Sequence, residues 1–111
     1  MLKTLPIPFE ISGTKITLPF SAICTVTDKR FSGEIVIEYV PKGDVLEYVD
    51  VEEFTKKICQ NKITAEELVH TVYQEVTSSL RLTFLKVLVD VKQSEAHQPV
   101  QVWKEGAKDA I

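Results

Sequence analysis

Cys24 is the residue of this 111-residue chain best placed for covalent chemistry. It stands where the apolar stretch Phe20 to Ile23 gives way to the polar run Thr25 to Asp28. A thiol at a strand end, beside a polar loop, can be reached by a substrate, and as a thiolate it is a strong nucleophile. The competing reading is a small buried core residue, because free cysteines are among the most buried types. Cys59 follows an apolar helical stripe and reads as inert core. Two cysteines cannot build a disulfide framework of the secreted kind. Together with His70 and His97 they show no zinc-like spacing. Glu38 shares its strand face with Val36 and Val40, which is costly in a core and acceptable on an exposed or subunit-facing surface. Glu66 falls in the first turn of a helix, where an acid stabilises the dipole whatever else it does.

These residues need a scaffold, and the chain is long enough for one domain, 1–111, and not two. It is 44% hydrophobic and 26% charged, a globular composition. The net charge of -3 does not point to a general nucleic-acid binder, although a basic patch can sit on an acidic protein. No apolar run is long enough for a membrane helix, and Met1 to Pro6 lacks the apolar core of a signal peptide. The expected compartment is the cytoplasm, with no membrane partner.

Local patterns supply the elements. Lys15 to Leu18 alternates as a half-buried strand, and Pro19 marks it as an edge or a bulge. Phe9 to Ile11 could be extended. Glu34 to Val40 is a stronger strand, with Ile35, Ile37 and Tyr39 on one face, closed by a turn at Pro41-Lys42-Gly43-Asp44. Asp50 reads as the N-cap of a first helix with Val51, Phe54 and Ile58 as its stripe. Thr64 and Glu67 form a capping box for a second helix, whose apolar face is Leu68, Val69, Val72, Val76 and Leu80. Leu82 to Lys92 is a strand with one uniformly apolar side, and Pro99 to Trp103 a fourth strand after a turn at Ser94 to His97. The remainder, 103–111, reads as a frayed tail. The order ββααββ predicts an α+β fold: an antiparallel four-stranded sheet with two helices on one face. The Val, Leu and Phe content of the far face predicts cover by other subunits.

Cys24-x-Val26-Thr27 followed by Ile35-x-Ile37-Glu38-Tyr39-x-Pro41 resembles the tunnelling-fold (T-fold) enzymes that act on 7-cyano-7-deazaguanine. These are the nitrile reductase QueF and the QueF-like amidinotransferase, the archaeosine synthase that modifies tRNA. The resemblance runs from about Leu18 to Leu68. It implies that Cys24 is the nucleophile that forms a thioimide with the nitrile, and that Glu66 holds the purine-like base. The family's acid, seven residues after the cysteine, falls on Phe31, so Asp28 is the nearest replacement as a catalytic group. The family's histidine before the glutamate falls on Ala65, and His70, one helical turn beyond Glu66, could substitute. The reductase pattern Glu-x-Lys-x-x-Lys is met at Glu47, but Val49 and Glu52 take the lysine positions, leaving no cation for a cofactor phosphate.

The resemblance therefore implies a QueF-like archaeosine synthase that needs no redox cofactor and no metal. Its partners would be 7-cyano-7-deazaguanine within tRNA, and ammonia. It would be a homo-oligomer, a decamer of two stacked pentamers, with Glu66, His70 and Glu38 as substrate-binding residues and Glu38 near a subunit boundary. Two alternatives stay open: an enzyme on the free base, including a divergent nitrile reductase, and a non-catalytic tunnelling-fold domain that binds a purine-like ligand.

Overall fold

The computed structural model describes residues 1–107. Its elements in chain order are β1 (Thr4–Pro6), β2 (Thr14–Ile23), β3 (Arg30–Pro41), β4 (Asp44–Leu46), α1 (Tyr48–Ile58), α2 (Ala65–Ser79), β5 (Leu82–Ser94) and β6 (Val100–Ala107). Four strands form one antiparallel sheet in the order β2-β3-β5-β6. The helices cover one face, α1 over β2 and α2 over β5 and β6. This is the α+β arrangement that the order of elements predicts.

Period-two alternation sets the inner face of the sheet. Ile35, Ile37, Leu85, Val87 and Val89 are fully buried, and so is Tyr39. Leu68, Val69, Val72 and Val76 of α2 meet them. Each such aliphatic side chain contributes roughly 1.5–3 kcal/mol when buried. The Thr64 hydroxyl accepts from the Glu67 N–H and donates to the Glu67 carboxylate, both at 3.0 Å, so Thr64 caps α2 where the pattern places its start, without the reciprocal backbone bond of a full capping box.

Several boundaries differ from the sequence expectation, among them β3, which starts at Arg30, and β5, which runs to Ser94. β2 continues through Pro19 to Ile23, because β2 is an edge strand and an edge tolerates a missing N–H. α1 begins at Tyr48, with Glu47 as its N-cap accepting from the Asp50 N–H. Asp50 instead accepts from the Lys3 N–H at 2.7 Å. That bond helps seat β1 on β4 in a two-stranded ribbon, which local periodicity does not show. Phe9 to Ile11 carries no strand, and Phe9 is exposed. β6 extends past Trp103 to Ala107, where a frayed tail was expected. Gly106 and Ala107 pair with Leu85 and Phe84, and the Lys104 ammonium lies 4.8 Å from the centre of the Tyr73 ring. Residues 108–111 of that expected tail lie outside the described residues.

The outer face sets a largely apolar row beside a charged one. One cross-strand row reads Thr17, Val36, Leu88, Trp103, and the next reads Lys15, Glu38, Lys86, Glu105. Glu38 thus meets a lysine on each side, and its mid-strand position costs nothing in the core. Between Ser32 and Gly33 the β3–β5 register shifts: Ser32 faces Gln93 and Gly33 faces Val91. The bulge bends the sheet at the end where the two hairpin turns lie.

Candidate functional site

Three segments converge at that end of the sheet: the β2–β3 turn, the β5–β6 turn and the start of α2. The β2–β3 turn is closed by its own backbone. Cys24 N–H donates to Lys29 O and Asp28 N–H to Cys24 O, both at 2.9 Å. Asp28 takes the left-handed conformation at φ 59°, which aspartate tolerates better than most residues. The loop before α2 is tied to β2 by Ile63 N–H donating to Ile23 O at 2.9 Å. That bond sets the first turn of α2 beside Cys24. The β5–β6 turn is held to β3 by a reciprocal pair: Arg30 N–H donates to the Glu95 carboxylate at 2.9 Å, and Glu95 N–H to Arg30 O at 3.1 Å.

These segments enclose a cavity of about 140 Å³ lined by Cys24, Thr27, Lys29, Phe31, Thr64, Glu66, Ser94, His97 and the apolar side chains Val26, Val91 and Val100. Phe31, where the sequence resemblance expects an acid, is buried and meets Phe20 edge-on, with ring centroids 5.6 Å apart. It makes that wall of the cavity apolar. Donors from Thr27, backbone N–H first and then hydroxyl, together with the Val26 backbone, hold the Cys24 thiol below the ordinary thiol range. Partial burial and the Glu66 carboxylate push the other way with less effect. The result favours a thiolate, the form that attacks carbon.

The predicted site residues divide into two groups. Cys24 and Glu66, distant in sequence, line the same cavity. Asp28, His70 and Glu38 are not among its lining residues. The Asp28 carboxylate pairs with the Lys62 ammonium at 2.5 Å, which holds it well below the usual carboxylate range. The His70 ring is exposed on α2, with Nδ1 3.3 Å from Lys104 Nζ. Glu38 lies on the outer face of the sheet, in a hollow with Lys15 and Lys86. It sits eight residues along β3 from Arg30, a span of roughly 25 Å at the usual strand rise. Cys59 caps the end of α1, half-buried against the core and not inside it, and that burial pushes its thiol up.

Polar residues at the cavity that the sequence does not single out as site residues include Lys29, Ser94 and His97. His97 sits in a turn whose only sequence signal is polarity, and the sheet order is what carries it to Cys24. Among the described residues no cluster of His, Cys, Asp and Glu could hold a metal ion. No helix there is long and apolar enough to cross a membrane.

No family model matches the chain, and no curated protein matches it. Among solved structures it is similar to the crystal structure of the archaeosine synthase QueF-Like in the apo form. That likeness has a TM-score of 0.79 at 22% sequence identity and covers 87% of this chain and 95% of that one. The two chains share one fold across nearly their whole lengths.

Proposed function

We propose that this chain is a nitrile-processing enzyme of the archaeosine synthase type, which converts 7-cyano-7-deazaguanine in tRNA to the amidine through a thioimide on Cys24. The observation that carries this reading is the meeting of Cys24, with its thiol held low, and Glu66 in one cavity of a fold shared with an archaeosine synthase. The Cys24 sulfur adds to the electrophilic nitrile carbon. One C–N π bond breaks, and the proton that left the thiol ends on the nitrile nitrogen. Ammonia then adds to the thioimide carbon, the C–S bond breaks, and the thiol is regenerated with its proton. The sum is nitrile plus ammonia giving amidine, with no change of oxidation state. Glu66 has the two acceptor oxygens needed for a ring N–H and an exocyclic amine side by side. Phe31, Val91, Val26 and Val100 give the flat ring an apolar bed.

The reductase alternative needs cations for a dinucleotide phosphate near the start of α1. There Val49 is exposed, and Glu52 adds negative charge while holding Lys56 at 3.0 Å. Assembly belongs to the same proposal. The cavity is smaller than the ~300–1,000 Å³ usual for ligand sites. Val26 is exposed at its rim, and the β2 and β6 edges have no partner strand among the described residues. A neighbouring copy in a homo-oligomer, a decamer of two pentameric rings, would enlarge the site and cover these features.

Intact-mass spectrometry of the protein with free 7-cyano-7-deazaguanine tests the chemistry. The expected result is a mass gain of one whole ligand, lost in Cys24→Ala and kept in Cys59→Ala. Wild-type protein that stays unmodified, or an adduct that survives Cys24→Ala, rejects the thioimide at Cys24.

A further inference from the structure

We propose that His97 carries the proton from Cys24 to the nitrile nitrogen during capture. This rests on the reading of Cys24 as the nucleophile and adds the group that completes its first step.

A thiolate that adds to a nitrile produces an imide anion, and the step goes forward only if that nitrogen is protonated as the C–S bond forms. A group at the cavity must deliver that proton. Asp28 is engaged with Lys62 and is not part of the cavity lining. The site acid position is filled by the Phe31 ring. Glu66 is committed to the base in the proposed pose. Lys29 and His97 both line the cavity with Cys24, and of these two side chain types the imidazole is the one suited to take and return a proton near neutral pH.

The ring is also oriented for that work. Nδ1 lies 2.6 Å from the Gln98 carbonyl oxygen. A carbonyl can only accept, so Nδ1 carries the hydrogen and Nε2 is the nitrogen left for exchange. The turn that holds the ring is itself braced. The Ser94 hydroxyl accepts from the Ala96 and His97 N–H groups at 3.1 and 3.3 Å, and Glu95 fastens the turn to β3 through Arg30. Nε2 takes the proton that leaves the Cys24 sulfur, directly or through one water, and returns it to the nitrile nitrogen. No proton is gained or lost by the site in the step.

Two probes separate this role from others. Iodoacetamide needs only the thiolate, whereas 7-cyano-7-deazaguanine needs the thiolate and a proton on nitrogen. The donors that hold the Cys24 thiol low come from Thr27 and Val26, so His97→Gln should leave the alkylation rate within a few-fold of wild type. The same variant should slow formation of the nitrile adduct by roughly 10²-fold or more, the usual worth of a positioned proton-transfer group. Free imidazole should restore part of that rate in His97→Ala. Wild-type protein that is alkylated at Cys24 but forms no nitrile adduct overturns the thioimide reading itself. An adduct that forms equally fast in wild type and His97→Gln overturns the role of His97 alone. So does an equal loss of alkylation and nitrile capture, which would place His97 in support of the thiolate or of the turn and not in proton delivery.

Discussion

Gly33→Ala should be among the most damaging single-methyl additions in this chain. A β-carbon built there lies 1.9 Å from the Asp90 carbonyl oxygen and 2.9 Å from the Lys92 nitrogen. Both are backbone atoms of the paired strand, so no side chain can swing aside. Ordinary contact begins near 3.4 Å, so β3 and β5 would have to part by well over an ångström at the bulge. Overpacking of this kind costs about 1–3 kcal/mol. Each ladder hydrogen bond stretched by the separation costs about 0.5–1.5 kcal/mol more. Two such bonds bring the total to roughly 2–6 kcal/mol, or about 8–24 °C in Tm at about 4 °C per kcal/mol for a domain of this size. Urea unfolding followed by circular dichroism measures it directly. Gly13→Ala is the control, because its β-carbon would meet only the Tyr39 carbonyl oxygen at an ordinary 3.7 Å. That change should be neutral or stabilise by up to about 1 kcal/mol through the unfolded chain. Should Gly33→Ala unfold within 1 kcal/mol of wild type, the close approach at the bulge is not a constraint on the fold. The bulge lies next to the Phe31–Ser94 pair, so nitrile capture should fall along with stability.

The thiol of Cys24 is held low, so its alkylation rate should reach half its plateau at a pH below that of an ordinary cysteine. Thr27→Val removes the hydroxyl donor and should move that midpoint upward, a shift that pH-rate profiles with iodoacetamide will register. Tyr39→Phe strips the acceptor from the buried Leu46 N–H, now bonded at 2.9 Å, and should cost about 1–3 kcal/mol in denaturant titrations. Burial raises the Tyr39 phenol above its ordinary range. Its contribution is therefore complete below the unfolded phenol's range and is lost as pH rises through the folded value, so the Phe variant should show a shallower alkaline decline. Asp28→Asn should leave nitrile capture within a few-fold, because asparagine accepts the left-handed backbone and the Asp28 carboxylate is turned to Lys62 in an exposed pair. A large loss in the adduct assay would return Asp28 to the reaction.

Much of this was legible in the sequence where the signal is local. The alternation of Ile35, Ile37 and Tyr39 marks one strand face, and Thr64 with Glu67 marks the start of α2, because both patterns are set by neighbours in the chain. Cys24 and Glu66 were legible as partners only through the family resemblance. What local patterns miss is set by distant pairing. β1 and β4 are three residues each and exist because they pair with one another. Pro19 reads as an edge or a bulge, and only the sheet order decides for the edge and carries β2 on to Ile23. The necessity of Gly33 appears only when β5 pairs across it. His97 is the functional counterpart: it stands in a polar turn far along the chain, and only the antiparallel pairing of β3 with β5 brings that turn to Cys24.

The row Lys15, Glu38, Lys86, Glu105 gives the sheet an electrical direction. Its charges alternate from strand to strand, so it begins positive on the β2 edge and ends negative on the β6 edge. Two copies that met through the same edge would set like charges opposite at this row, lysine to lysine or glutamate to glutamate, wherever the row is in register. A copy that lays its β2 beside the β6 of the next continues both the alternation of charge and the antiparallel strand direction. Each such cross-strand pair is worth only about 0.2–1 kcal/mol, too little to hold an assembly together. It is enough to disfavour the two-fold arrangement against the head-to-tail one, and head-to-tail contacts close into rings when the rotation from one copy to the next divides a full turn.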